Sequence, residues 1–292
     1  MVSQYLSEVK ELVKIKVTDS IGNSNLIEES MLYSAIAESK MVRAGLIFAS
    51  AKTNPYLEME SVVTLASSIE LMHTYSLVHD DLPCMDDDDI RRNQPSNHIK
   101  YGEANAVLTG DALQALAYEI ICNDINLTNK NKVSAIKLLT EACGKNGMVH
   151  GQHLDIQNEN NINEVNQEIL DHTHQLKTGK LIECSVLFGQ LNNELSDDQL
   201  KNFKNFSSKL GLAFQIIDDV LDVTESSEVL GKTNNSDIKN NKQTYVDLIG
   251  IKPAQDRARN LIESAIKDLN MNNLDGTNSL IDIAYYLIER RN

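Results

Sequence analysis

Apolar residues recur at three- and four-residue intervals along almost the whole of this 292-residue chain, with only four prolines and thirteen glycines to interrupt them. That period belongs to α-helices that turn one face to a core, and the alternation a half-buried strand needs is scarce. The chain is therefore expected to be all-α. Its length would allow two average domains, yet no Pro/Gly/Ser-rich linker and no sharp shift of composition divides it. Residues 1–292 are expected to form one domain.

A formal net charge of −15 would repel nucleic acid and anionic membrane alike, and no basic run focuses an attraction. An acidic protein that nonetheless takes up an anionic small molecule needs metal ions to invert the local field. Cys84, Cys122, Cys143 and Cys184 are scattered, form no CxxC pair and follow no signal peptide. No apolar run approaches membrane-spanning length. A reduced, cytoplasmic protein without membrane insertion is expected.

Two aspartate clusters carry the functional signal: Asp80-Asp81-Leu82-Pro83-Cys84-Met85-Asp86 and Asp218-Asp219-Val220-Leu221-Asp222, each following an apolar helical stretch. Crowded, buried carboxylates repel one another and lose hydration, so they need cations. In the second cluster Asp218 and Asp222 are four apart and Gln215 precedes Asp218 by three, so the three share one helix face. Three oxygen-bearing side chains there suit a hard divalent ion.

Before the first cluster, Val62, Leu65, Ala66, Ile69, Met72 and Ser76 trace a helical stripe. Pro83 lacks a backbone donor and restricts the residue before it, so the helix is expected to end near Leu82, with Met85 to Asp89 on a loop and Asp86 adjustable. Asp87, Asp88 and Asp89 are expected to be solvated surface. His73 lies two turns before Asp80, about 10.5 Å away on the same face at 1.5 Å per residue; pattern alone favours a core histidine. Before the second cluster, Phe203, Phe206, Leu210, Phe214 and Ile217 form a core stripe, and Gly211, Gln215, Asp218 and Asp222 occupy the adjacent face. Arg91 and Arg92 are either salt-bridge partners of the carboxylates or forks for phosphate oxygens.

These strings, together with Tyr101-Gly-Glu-Ala-Asn-Ala, Gly110-Asp-Ala-Leu-Gln114, Gly151-Gln152 with Asp155, Lys177-Thr178-Gly179, Leu230-Gly231-Lys232 and Lys242-Gln-Thr-Tyr245, resemble the trans-isoprenyl diphosphate synthases, most closely the bacterial farnesyl diphosphate synthases. The resemblance runs from about Met31 to the C-terminus. It implies an all-helical bundle around a deep central cavity, with the two clusters on opposite walls and three Mg²⁺ ions between them. By the family's pattern Asp80, Asp81 and Asp86 bind metal on one wall, Asp218 and Asp222 on the other, with Asp219 close by. Arg91, Lys177, Thr178, Gln215, Lys232 and Lys242 match positions that hold the allylic diphosphate; Lys40, Arg43, His73 and Arg92 match those that hold isopentenyl diphosphate. Asp80, Asp86, Arg91, Lys177, Asp218 and Lys232 would carry the catalysis, in a homodimer.

The resemblance implies that the cavity floor sets product length. Tyr75, five positions before Asp80 and about 7.5 Å below it, would stop elongation at the C15 farnesyl product. Ideal geometry puts the small Ser76 nearer the cavity side, which keeps the C20 geranylgeranyl product as the alternative. The family's Gly-Gly-Lys-Arg-x-Arg-Pro segment reads Glu38-Ser39-Lys40-Met41-Val42-Arg43-Ala44 here, with a negative charge added beside an anionic ligand. His150, Asn93 and Asn235 replace usual glycines. A terpene cyclase would carry a different second metal motif, and a His-Asp phosphohydrolase would leave Gln215 to Asp222 without a role. A non-catalytic partner subunit is the main rival outside the enzymes, and intact clusters on both walls argue against it. The C-terminal Arg290-Arg291 is expected to be solvated.

Overall fold

The computed structural model describes residues 2–161, 165–224 and 242–289. Its elements in order are α1 (Val2–Ile21), α2 (Leu26–Ala35), α3 (Val42–Ala51), α4 (Met59–Asp80), β1 (Ile90–Arg91), β2 (Gln94–Pro95), α5 (Asn97–Tyr101), α6 (Glu103–Asn123), α7 (Asn129–Cys143), α8 (Met148–Asn160), α9 (Gln167–His174), a π-helical turn (Gln175–Gly179), α10 (Lys180–Gly189), α11 (Asp197–Thr224), α12 (Tyr245–Ile249), α13 (Ile251–Asn270) and α14 (Asn278–Glu289). Among the described residues the expected all-α architecture holds, and the only sheet is the two-residue hairpin β1–β2.

Helix α4 is buried on nearly every side, from Ser61 to Val78, as its mixture of apolar and small residues demands. One core forms around it, with Val9 and Val13 of α1 and Leu113 and Ala117 of α6. A second core forms around α11, where Phe203, Phe206 and Leu210 meet Ile262 and Leu269 of α13 and Leu287 of α14. Phe203 and Phe206 are fully buried, so truncating either to alanine would cost about 3–5 kcal/mol. The two cluster-bearing helices thus sit in separate cores, with a cavity of about 520 Å³ between them lined by α4, α8, the π-turn and α11.

Close helix approach on the α11 side depends on glycine. A Cβ at Gly211 would stand 2.7 Å from the Cα of Gly179, and one at Gly151 would collide with the backbone of Lys177. These contacts hold α8 and α11 against the π-turn that carries Lys177 and Thr178. Single π-turns inserted between α-helical segments are common at functional sites.

Two sequence expectations shift at the end of α4. The helix stops at Asp80 rather than near Leu82. The loop behind Pro83 is also tied down: the Asp86 N–H donates to the Asp80 carbonyl at 2.8 Å, and the Met85 N–H donates to the Leu82 carbonyl at 2.8 Å. The Asp86 backbone is therefore folded back beneath the helix end. The hairpin after it turns through Arg92 (φ 55°) and Asn93 (φ 61°). Two successive left-handed residues are what a tight type I′ hairpin requires, and asparagine tolerates that region, which explains how Asn93 replaces glycine.

Candidate active site

Asp80 and Asp218 line the cavity from α4 and α11, with Lys177, Thr178 and Gln215 between them. Burial pushes the Asp80 carboxyl up to about 6, with Asp86 adding to the rise and Lys177, Arg91 and Lys242 opposing it. A carboxylate in that condition is short of positive charge. Asp86 faces the Lys242 Nζ at 3.2 Å. Asp81 is turned elsewhere: it is 2% exposed and accepts from Arg91 Nε at 2.9 Å and from its Nη2 at 2.5 Å.

Asp88 overturns its expected place on the solvated surface. It is 7% exposed and pairs with Arg91 at 3.1 Å, so one guanidinium bridges Asp81 and Asp88. Despite the cost of burial, those two carboxylates hold Arg91 well above its ordinary pKa. Arg91 thus acts as a salt-bridge partner in this structure. The expectation for Asp87 and Asp89 stands, since both are exposed.

Beneath the mouth, α8 supplies an acid that pattern alone did not single out. Asp155 lies 2.7 Å from Lys177 Nζ and 3.2 Å from Lys242 Nζ, and Lys242 also reaches Glu159 at 3.3 Å. Burial would raise the Asp155 carboxyl, but the two ammonium groups outweigh it and hold it well below the usual range. Lys177 is raised in return, chiefly because Asp155 overcomes its own burial. From the π-turn, Thr178 donates to Gln215 Oε1 of α11 at 2.9 Å. Gln215 Nε2 donates to Asp219 at 3.2 Å. Asp222 is 2% exposed, one turn beyond Asp218. Asp219 faces away from the cavity lining and accepts the Tyr245 backbone N–H at 3.0 Å. Lys232, Asn235 and Arg290-Arg291 lie outside the described residues.

A second, cationic corner opens into the same cavity through Arg43 and His73. Its counter-ion is Glu70, 5% exposed, whose carboxylate accepts the Ala44 N–H at 3.1 Å. Burial raises Glu70, while Arg43 and that N–H oppose the rise. Burial lowers Arg43, opposed by Glu70 and Asp218. Arg92, lowered first by burial, is likewise held up by Glu70. His73 falls well below its ordinary value through burial, Arg43 and Arg92, and so stays neutral at pH 7. Glu70 had a sequence signal: it is the sole acidic residue between Glu60 and Asp80 in a helix whose neighbouring turns are apolar or small. Lys40 is exposed between α2 and α3. Glu38 pairs with Lys10 of α1 and lies 4.0 Å from Lys14, so α1 offsets its added charge.

This arrangement can hold anionic oxygens at two places that share one apolar cavity. Residues 24–282 match the model of the polyprenyl synthetase family. The chain belongs to that family. It is a prenyltransferase of the farnesyl and geranylgeranyl diphosphate synthase kind. It is 39% identical to farnesyl diphosphate synthase of Escherichia coli over 273 residues, covering 90% of this chain and 89% of the relative. Against geranylgeranyl pyrophosphate synthase 7 of Arabidopsis thaliana it is 38% identical, covering 91% of this chain and 77% of the relative. Its fold superposes on a Helicobacter pylori geranyltransferase complexed with magnesium and isoprenyl diphosphate with a TM-score of 0.84 at 31% identity, over 98% of this chain and 96% of that one.

Proposed function

We propose that this polyprenyl synthetase makes farnesyl diphosphate, condensing isopentenyl diphosphate with dimethylallyl and then geranyl diphosphate. The observation that carries the reading is one cavity with carboxylates on both α4 and α11 and with Tyr75 and Ser76 in its lining. The Tyr75 ring packs edge-on against His79 at 5.4 Å, which supports reading it as the floor. Ser76 beside it, together with relatives named geranylgeranyl synthases, supports the C20 product as the second reading.

The residues fit Mg²⁺. Among the described residues no three His, Cys, Asp or Glu side chains converge on one point. Mg²⁺ is commonly held by one or two carboxylates plus substrate phosphate oxygens rather than by an all-protein cage. Asp80 and Asp86 on one wall and Asp218 and Asp222 on the other would hold it. Asp81 is bound to Arg91, and Asp219 to Tyr245. Bound there, Mg²⁺ would supply Lewis-acid stabilisation of the leaving diphosphate.

The chain's own residues do the remaining work. Lys177 and Lys242 stabilise charge that grows on diphosphate as the allylic C1–O bond breaks, the electron pair leaving with oxygen. Arg43 and Arg92 hold isopentenyl diphosphate so that its double bond faces C1 and forms the new C–C bond. The proton then lost from C2 of the isopentenyl unit passes to the departing diphosphate. Neutral His73 donates a hydrogen bond to the isopentenyl diphosphate. We read residues 1–292 as one domain, because the two cores of the described residues flank a shared cavity. A homodimer follows the family pattern, although one relative is the large subunit of a heterodimeric synthase. Four free cysteines support a cytoplasmic setting. No described helix is long and apolar enough to cross a membrane.

Purified protein given Mg²⁺, isopentenyl diphosphate and dimethylallyl or geranyl diphosphate should release a C15 product, identified by chromatography. No product with any allylic donor would refute the reading. Tyr75→Ala should lengthen the product, and an unchanged distribution would move the floor to Ser76 or a neighbouring helix.

A further inference from the structure

Asp219 belongs to the second cluster by sequence, yet its surroundings differ from those of Asp218. It is 4% exposed, and both carboxylate oxygens are engaged within the protein. Oδ1 accepts from Gln215 Nε2 at 3.2 Å; Oδ2 accepts from the Tyr245 N–H at 3.0 Å and lies 3.6 Å from His174 Nε2. The Tyr245 ring is fully buried between two partners. It stacks on His174 at 5.8 Å with 29° between planes, and the Arg257 guanidinium lies over it at 5.6 Å from the centroid. The far end of this stack is anchored too, since Arg257 pairs with Asp171 at 2.6 Å.

Both ends of this assembly reach the mouth of the cavity. Lys242 stands three residues before Tyr245, within about 10 Å of chain, and contacts Asp86, Asp155 and Glu159. Thr244 between them is fixed by a reciprocal capping box with Asp247. On the other side, Gln215 is held by Asp219 through Nε2 and presents Oε1 to Thr178. His174 directly precedes the π-turn that carries Lys177. One buried carboxylate therefore ties together three segments that each deliver a side chain to the same place.

We propose that Asp219 is a positioning residue rather than a metal ligand: with His174 and Tyr245 it latches the Lys242–Tyr245 segment onto α11 and so sets where Lys242 and Gln215 meet the allylic diphosphate. This rests on the reading that the mouth of the cavity takes that diphosphate. A carboxylate that accepts a backbone N–H and an amide N–H, and that is shut away from the cavity, orients its neighbours far better than it ligates an ion. The consecutive position of Asp218 and Asp219 does not oppose this, because neighbours on a helix point about 100° apart.

Steady-state rates of Asp219→Ala, Asp219→Asn and Asp218→Asn, compared with the intact chain, test the latch. Geranyl diphosphate, isopentenyl diphosphate and Mg²⁺ are varied in turn, Mg²⁺ at saturating geranyl diphosphate. Asp219→Ala should raise KM for geranyl diphosphate about tenfold, with KM for isopentenyl diphosphate and half-maximal Mg²⁺ unchanged. Asp219→Asn, whose amide oxygen still accepts the Tyr245 N–H, should recover part of the loss and stands in if the alanine variant fails to fold. Asp218→Asn should shift the Mg²⁺ requirement. A Mg²⁺ shift in the Asp219 variants matching that of Asp218→Asn would overturn the latch in favour of a ligand. A lower melting temperature with every KM unchanged would overturn it in favour of plain scaffolding. A wild-type chain inactive with every allylic donor would overturn the underlying reading instead.

Discussion

The mouth of the cavity and the corner beside it carry opposite imbalances of charge. Among the described residues, Asp80, Asp86, Asp155 and Glu159 from one side of the mouth and Asp218 from the other outnumber Lys177 and Lys242. At the corner Arg43 and Arg92 stand beside the carboxylate of Glu70 and a neutral His73, with Asp218 and Asp81 adding weaker negative charge. A diphosphate can enter the corner directly, because cations already wait there. At the mouth it requires cations that arrive with it, since carboxylates alone would repel it. On the proposed function, one cavity in a protein of charge −15 would distinguish two chemically similar substrates by how each is neutralised.

The strongest way to break this contrast is to remove an acid from the mouth. Asp218→Ala should abolish turnover, by about a thousandfold or more, while circular dichroism shows the fold intact. Unchanged rates would take Asp218 out of the site and leave the acidic mouth without a role. At the corner, Glu70→Ala removes a nearby carboxylate charge from the half-buried Arg43 and Arg92 and frees the Ala44 N–H. Thermal unfolding should shift down, because that N–H loses its acceptor and both guanidinium groups lose a nearby negative charge. KM for isopentenyl diphosphate should rise more than KM for the allylic donor. Equal changes in both would show that the corner is not a separate site.

Acid titration sharpens the comparison further. Asp155 is depressed in the folded protein, so its contribution is complete above the unfolded carboxylate value of 3.8 and disappears as pH falls through the lower folded value. Asp155→Asn should destabilise by about 3 kcal/mol at neutral pH, with the gap to wild type closing as pH drops below 3.8. A gap that stays constant in acid would mean that the pairing with Lys177 and Lys242 contributes nothing through charge.

Much of this was legible in the residues. The stripes Val62 to Ser76 and Phe203 to Ile217 place both clusters on buried helices, and Pro83 marks where the first must stop. The motif strings identify the family. Less legible was which carboxylate points where: Asp81 and Asp88 are claimed by Arg91 through a hairpin whose two left-handed residues are not readable from periodicity. The π-turn at Gln175–Gly179 carries no helical-period signature either, yet it brings Lys177 to Asp155. Glu70 was visible as a lone charge in an apolar helix, but its partner Arg43 is 27 positions away, and pattern along one helix says nothing of a neighbour on another.

The smallest expected effect concerns the segment that departs most from the family pattern. Glu38 should repel an incoming diphosphate at the corner, but it pairs with Lys10, and Lys14 stands 4.0 Å away. Its carboxylate is held below the usual range chiefly by the Lys10 hydrogen bond, with Lys14 and Arg92 adding charge. Because Glu38 is 75% exposed, replacing it should change stability by less than about 0.5 kcal/mol. Glu38→Gly frees two lysines and removes one negative charge, so KM for isopentenyl diphosphate should fall two- to threefold at low salt and converge on wild type as salt screens the change. If α1 already neutralises Glu38 completely, Glu38→Gly will leave KM alone while Lys10→Ala raises it. That outcome would make the first helix part of the corner.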